Sequence, residues 1–127
     1  MREDRDKDRG RALDAAIAEA LGYELIRRDS DRHQIWESKE TGDKMVLPYY
    51  SEDGNAMLEL IAELTKRSLL VMIEPIMDVK FITYQATIIV FSQDGEVTDY
   101  IFALANTMPK AVSLAVFKAL TGKEWQG

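Results

Sequence analysis

The stretch SLLVMIEPIMDVKFITYQATIIVFSQDGEVTDYIFAL, Ser68–Leu104, decides the fold class. Ser68–Ile73 is a continuous apolar run rich in β-branched residues, which predicts a central strand buried on both faces and ended by Pro75. Lys80–Phe91 is dominated by Ile, Thr, Tyr, Val and Phe, side chains that suit a pleated surface. Asp94-Gly95 follows, a dipeptide that fits a tight type I′ hairpin turn, and Glu96–Leu104 returns as the partner strand.

Working outward, the period changes from two to 3.6 on both sides. Ser51–Lys66 carries the apolar stripe Met57, Leu60, Ile61 and Leu64, with Asn55, Glu59, Glu63 and Lys66 on a polar face. Ser51 is the expected N-cap, and Glu52 and Asp53 stand where the helix dipole favours negative charge. On the other side Met108–Leu120 is a helix with Thr107 as N-cap, Pro109 in the first turn and Gly122 as its stop. Val112, Ala115, Val116 and Ala119 form its stripe, which Leu114 and Phe117 widen.

Further upstream, Asp4–Leu21 reads as an amphipathic helix through Leu13, Ile17, Ala20 and Leu21, with a firm start near Arg11 and Gly22 at its end. Tyr23–Arg28 and Arg32–Glu37 are short strands around an Asp29-Ser30-Asp31 turn, and Ile35 and Trp36 point to opposite faces of the second. Lys39–Asp43 is a turn, and Met45–Leu47 leads as an extended piece into Pro48. The order α-β-β-(β)-α-β-β-β-α predicts an α+β fold, an antiparallel or mixed sheet sandwiched by helices.

The 127 residues fit one domain, with a charged, frayed lead-in over 1–10 and a tail over 123–127 whose Trp125 packs back onto the body. The hydrophobic fraction of 46% and the charged fraction of 30% are those of a globular protein. No apolar run approaches the roughly 18 residues of a membrane span. MREDRDKDRGR lacks the apolar segment of a secretory leader, and there are no cysteines, so the expected setting is cytoplasmic. The formal charge of −6 argues against a nucleic-acid partner, since phosphate contacts need the opposite sign. Among the six methionines, Met57, Met72 and Met108 are expected in the core, although methionine also suits a self-association surface.

Catalytic patterns are missing. His33 is the single histidine and lacks a nucleophile or orienting partner in sequence, so it reads as a surface residue. Glu59 and Glu63 lie one helical turn apart, as on any solvated helix, and a metal or enzymatic site built from them with His33 is the contrasting hypothesis. Neither GxxxxGK[ST] nor GxGxxG occurs. The expectation is a protein that is no enzyme and holds neither cofactor nor metal.

LPYYSEDGNAMLELIAEL (Leu47–Leu64) followed by ANTMPKAVSLAVFKALTG (Ala105–Gly122) resembles the small phage and prophage proteins of the phage ABA sandwich domain. ALGYEL (Ala20–Leu25) and Trp36 stand where that family has a Leu-Gly-aromatic turn and a tryptophan-bearing strand, whereas Lys110 replaces its frequent acidic residue. The resemblance implies a phage or prophage origin and a sandwich of sheet and helices; it carries no catalytic residues. From Glu52 onward the element order is also similar to a double-stranded-RNA-binding domain, but Thr107–Phe117 offers only Lys110 for phosphate. The hairpin with TMPKAVSLAVFKAL is similar, over a shorter stretch, to HicB-like antitoxins.

These readings lead to a non-catalytic protein that binds a host macromolecule, with a defence system such as CRISPR–Cas as the target class. The alternatives are a self-assembling accessory phage protein, with homodimers, and an antitoxin-type module. The expected contact site is the Pro-led loop: Tyr49 and Tyr50 as interface aromatics, with Glu52 and Asp53 as the charge complement. Against it stands the reading that one of the two tyrosines staples the helix entry.

Overall fold

The computed structural model describes residues 2–30, 32–77 and 82–126. Its elements are α1 (Arg2–Ala20), β1 (Tyr23–Ser30), β2 (His33–Ser38), β3 (Lys44–Val46), α2 (Gly54–Lys66), β4 (Leu69–Met77), β5 (Ile82–Phe91), β6 (Val97–Ala105) and α3 (Met108–Thr121). The fold is α+β in the expected order, and the strands form two three-stranded antiparallel sheets, β1-β2-β3 and β4-β5-β6. α3 packs across β5 and β6, α2 lies beside β4, and α1 fits between α3 and the first sheet. The helices thus fill the space behind both sheets.

The main core is built where the three helices meet the second sheet. Leu13 and Ile17 of α1, Leu60 and Leu64 of α2, Ala86 and Ile88 of β5, and Val112 and Val116 of α3 are all buried there. A smaller cluster of Ala18, Trp36 and Leu47 holds α1 to the first sheet. Trp36 donates its indole N–H to Gln34 Oε1 at 3.1 Å, so its polar end is satisfied inside. Arg67 Nη2, just past α2, donates to Leu21 O at 2.8 Å and ties the ends of α1 and α2 together.

Several expectations are corrected. α1 begins at Arg2, two residues before the expected Asp4; the expected solvation of side chains 1–10 and the strand start at 80–81 lie outside the described residues, as does Asp31 of the first turn. α2 is capped by Asp53, whose carboxylate accepts from Ala56 N, and Ser51 is buried upstream of the helix. Pro75 does not end β4 but sits within it, opposite Tyr84. That is tolerable because β4 is an edge strand, the place in a sheet where proline is accommodated since half of the backbone N–H positions face away from the ladder. β4 is also open on one face, with Leu70 and Met72 exposed, so it is not the doubly buried central strand that its apolar run suggests. Met72 and Met108 are exposed; Met57 alone of the three is buried.

The β5–β6 hairpin is present, but its turn is not type I′. Gly95 N donates to Ser92 O at 3.0 Å, and Ser92 N donates to Glu96 O at 2.8 Å, closing a three-residue loop. Gly95 has φ 84°, and Ser68 is the only positive-φ residue other than glycine among the described residues, so Asp94 keeps negative φ. A type I turn followed by a left-handed glycine gives the same reversal with one more residue. α3 follows the sequence closely: Thr107 caps it, Gly122 ends it at φ 74°, and Trp125 returns edge-on to Phe117 with ring centroids 5.1 Å apart.

Candidate functional site

The chain from β3 to α2 is fastened from below by two charged residues of α1. Arg11 is 3% exposed and Asp14 0%. Arg11 Nη2 donates to Leu47 O at 2.9 Å, and its Nη1 donates to Pro48 O at 3.0 Å and to Asp14 Oδ2 at 2.9 Å. The other Asp14 oxygen accepts from Ser51 N at 2.9 Å. The guanidinium also lies 3.9 Å from the Tyr49 ring centroid, a cation–π contact. Buried charges survive when paired and hydrogen-bonded in this way, and the loop carbonyls gain donors that no sheet supplies.

This clamp decides where the four predicted contact residues go. Tyr50 is buried in the main core, and Tyr49 is half-covered over Arg11 with its hydroxyl donating to Arg32 O at 3.4 Å. Tyr49 O accepts from Glu52 N and Asp53 N, which turns the chain into α2. Asp53 is the cap and Glu52 is exposed. Tyr50 and Asp53 therefore hold the helix entry in place, and Glu52 alone projects freely. Burial pushes the Tyr50 phenol far above the ordinary tyrosine range. Burial also raises the Asp14 carboxyl above its ordinary value, against the opposing pull of the Ser51 and Arg11 hydrogen bonds.

The contrasting His33 set does not assemble. His33 Nδ1 lies 2.9 Å from Asp29 Oδ2 on the exposed first hairpin, and Arg27 Nε donates to the other Asp29 oxygen at 3.0 Å. Arg27 and His33 hold the Asp29 carboxyl below its ordinary range. Glu63 faces Arg67 and Lys66 at 3.6 and 3.9 Å. Among the described residues no group of three or more His, Asp or Glu side chains gathers in a metal-holding arrangement, and no helix is long and apolar enough to cross a membrane.

A different surface emerges from the second sheet. The register sets Leu70 beside Ile89 and Tyr100, Met72 beside Thr87 and Phe102, and Glu74 beside Gln85 and Leu104. These rows share the face turned away from the helices. Tyr100 is 61% exposed, Met72 54% and Phe102 53%, and Leu70, Ile76 and Leu104 are exposed with them. Six side chains of roughly 200 Å² each, about half uncovered, leave on the order of 600 Å² of apolar surface, the upper end for a monomer. Glu74 is the one charged residue in these three rows.

The sequence carried a signal for this face that its apolar content hides. In β6 the small residues Ala103 and Ala105 point inward to the helices, while Tyr100, Phe102 and Leu104 point out. A strand facing water on its outer side has the reverse pattern, large apolar residues in and polar residues out. Small inner residues let α3, with Ala111 and Ala115 buried against them, approach closely. The large ones are left facing outward. Comparison of the chain with family models, curated proteins and solved structures finds no match.

Proposed function

We propose that this chain is a non-catalytic binding protein that works through protein–protein contact, with the outer face of β4-β5-β6 as its contact surface. The observation that carries the reading is the contiguous apolar face of Leu70, Met72, Ile76, Tyr100, Phe102 and Leu104 on a molecule of formal charge −6. Exposed apolar patches of this extent mark interaction sites, and Tyr, Phe and Met are enriched in interface cores. The resemblance of Leu47–Leu64 and Ala105–Gly122 to phage ABA sandwich proteins supports a phage or prophage origin. A host macromolecule, with a CRISPR–Cas defence complex as the leading class, is then the target of the assembled protein.

The test is affinity capture from a bacterial lysate with mass spectrometry, using wild type, Phe102→Lys and a first-sheet control, Val46→Lys. A stoichiometric protein retained by wild type and the control but lost with Phe102→Lys supports the reading. Equal capture by all three proteins would place the contact surface elsewhere.

A further inference from the structure

We infer that the occupant of the β4-β5-β6 face is a second copy of this chain, packed sheet on sheet about a two-fold axis along β5. The inference rests on the reading of that face as a contact surface and names its partner. Two observations carry it. The first is area: about 600 Å² of apolar surface, plus the intervening Thr87, Gln85 and backbone, approaches the roughly 800 Å² that each partner contributes to a standard interface. The second is self-complementarity. A two-fold axis along β5 lays β4 of one copy over β6 of the other and keeps each cross-strand row in register. Leu70 then meets Tyr100 of the second copy, and Met72 meets Phe102 of the second copy, a thioether against a ring. Ile89 and Thr87 lie on the axis against their own counterparts. One edge of the face is aliphatic and the other aromatic, so neither packs on itself. Aligned sheets in this arrangement form an interface like a β-sandwich core.

Charge points the same way. The rows of Leu70 and Met72 hold no charged residue, so two copies bury the same neutral centre, with Glu74 and the Lys118 ammonium, 5.9 Å from the Phe102 ring centroid, at its margin. Like net charge on the copies makes association stronger as salt screens their repulsion, the opposite of a charge-complementary partner.

Sedimentation velocity across a dilution series, at low and high salt, tests the inference directly. The expected result is a dimer strengthened by salt, whose dissociation constant rises more than about a hundredfold in Phe102→Lys and in Met72→Glu, each substituted at two symmetric places per interface. The cysteine-free chain permits a second readout on an otherwise native surface. Thr87→Cys should give a covalent dimer with a short bismaleimide, while Val46→Cys, 54% exposed on the first sheet before substitution, should not. A wild-type chain that stays monomeric up to roughly 1 mM overturns the inference. So does a dimer unaffected by the face variants and cross-linked through Val46→Cys. A monomer that captures another protein through Phe102 sinks the inference and leaves the contact-surface reading standing; a monomer that captures nothing sinks both.

Discussion

β1-β2-β3 and β4-β5-β6 are both antiparallel three-stranded sheets that follow a helix in the chain, yet the first exposes Leu25, Ile26 and Val46 among charged residues while the second exposes a nearly uninterrupted apolar face. On the outer face of the first sheet, Glu24, Glu37 and Lys44 form one cross-strand row, and Arg27, Ile35 and Val46 form another. On the second, the corresponding rows are Leu70, Ile89, Tyr100 and Met72, Thr87, Phe102. Their attachments differ as well. The first sheet is held to the body by the Ala18–Trp36–Leu47 cluster and the buried Arg11–Asp14 pair, the second by the apolar faces of α2 and α3. The same topology therefore carries one outer face of mixed charged and apolar residues and one that is almost wholly apolar.

The sharpest way to break this comparison is to release the first sheet alone. Asp14→Ala leaves the Arg11 guanidinium buried without its carboxylate and should destabilise the protein by about 3–5 kcal/mol in urea unfolding. Hydrogen exchange should then accelerate in β1–β3 more than in β5. A double Arg11→Met, Asp14→Leu variant should recover most of the loss, because it removes both charges together. Recovery of nothing would mean that the hydrogen bonds to Leu47, Pro48 and Ser51 matter more than the buried charge.

The complementary cut is Ile88→Ala, which opens a cavity between β5 and the helices and should cost about 2–4 kcal/mol. Here exchange should accelerate throughout, since the three helices share that core. A smaller gain is expected at the junction before the second sheet. Ser68 follows α2 with φ 63°, a left-handed position that glycine occupies without a Cβ penalty. Ser68→Gly should stabilise by about 0.5–1 kcal/mol, read as a raised Tm.

The finest distinction is in pH dependence. Asp14 has a folded pKa raised above the ordinary 3.8, so the folded state binds the extra proton first. Its contribution to stability grows as pH falls from the raised value toward 3.8, and the wild-type advantage over Asp14→Asn should widen in that window. Asp29, on the first hairpin, has a lowered folded pKa. It contributes stability above 3.8 that is lost as pH falls through the lower value, so the advantage over Asp29→Asn should shrink on acidification. Parallel profiles for the two variants would contradict the opposite environments of these carboxylates.

Much of the fold is legible in the sequence because periodicity records which side of an element is apolar. The stripe of α2, the Thr107 and Gly122 ends of α3 and the β5–β6 hairpin all follow from spacing and local backbone chemistry. The clamp is not legible, since Arg11 and Asp14 sit in a run of charges and become intelligible only beside carbonyls and an amide 36 and 37 residues away. The anchoring of the Tyr49–Asp53 loop is hidden for the same reason: what ties it down comes from α1. The open face of β4 was invisible for another reason. An apolar strand reads as buried on both sides, and nothing local states whether the second side is covered by this chain. Ser113 of α3 adds a small unread detail, a fully buried hydroxyl with no partner, where alanine should be neutral or stabilising by up to about 1 kcal/mol.

The clamp also bears on how the protein is made. α1 leaves the ribosome well before α3, whose surface covers Leu13 and Ile17, because both sheets and α2 lie between them in the chain. At roughly 5–20 residues per second the wait is on the order of ten seconds. During that interval the apolar side of α1 has no permanent cover. Leu47, Pro48 and Ser51 emerge about midway, and with them come the carbonyls and the amide that Arg11 and Asp14 engage. The polar pair thus gives the nascent helix a directional partner before α3, its hydrophobic one, exists.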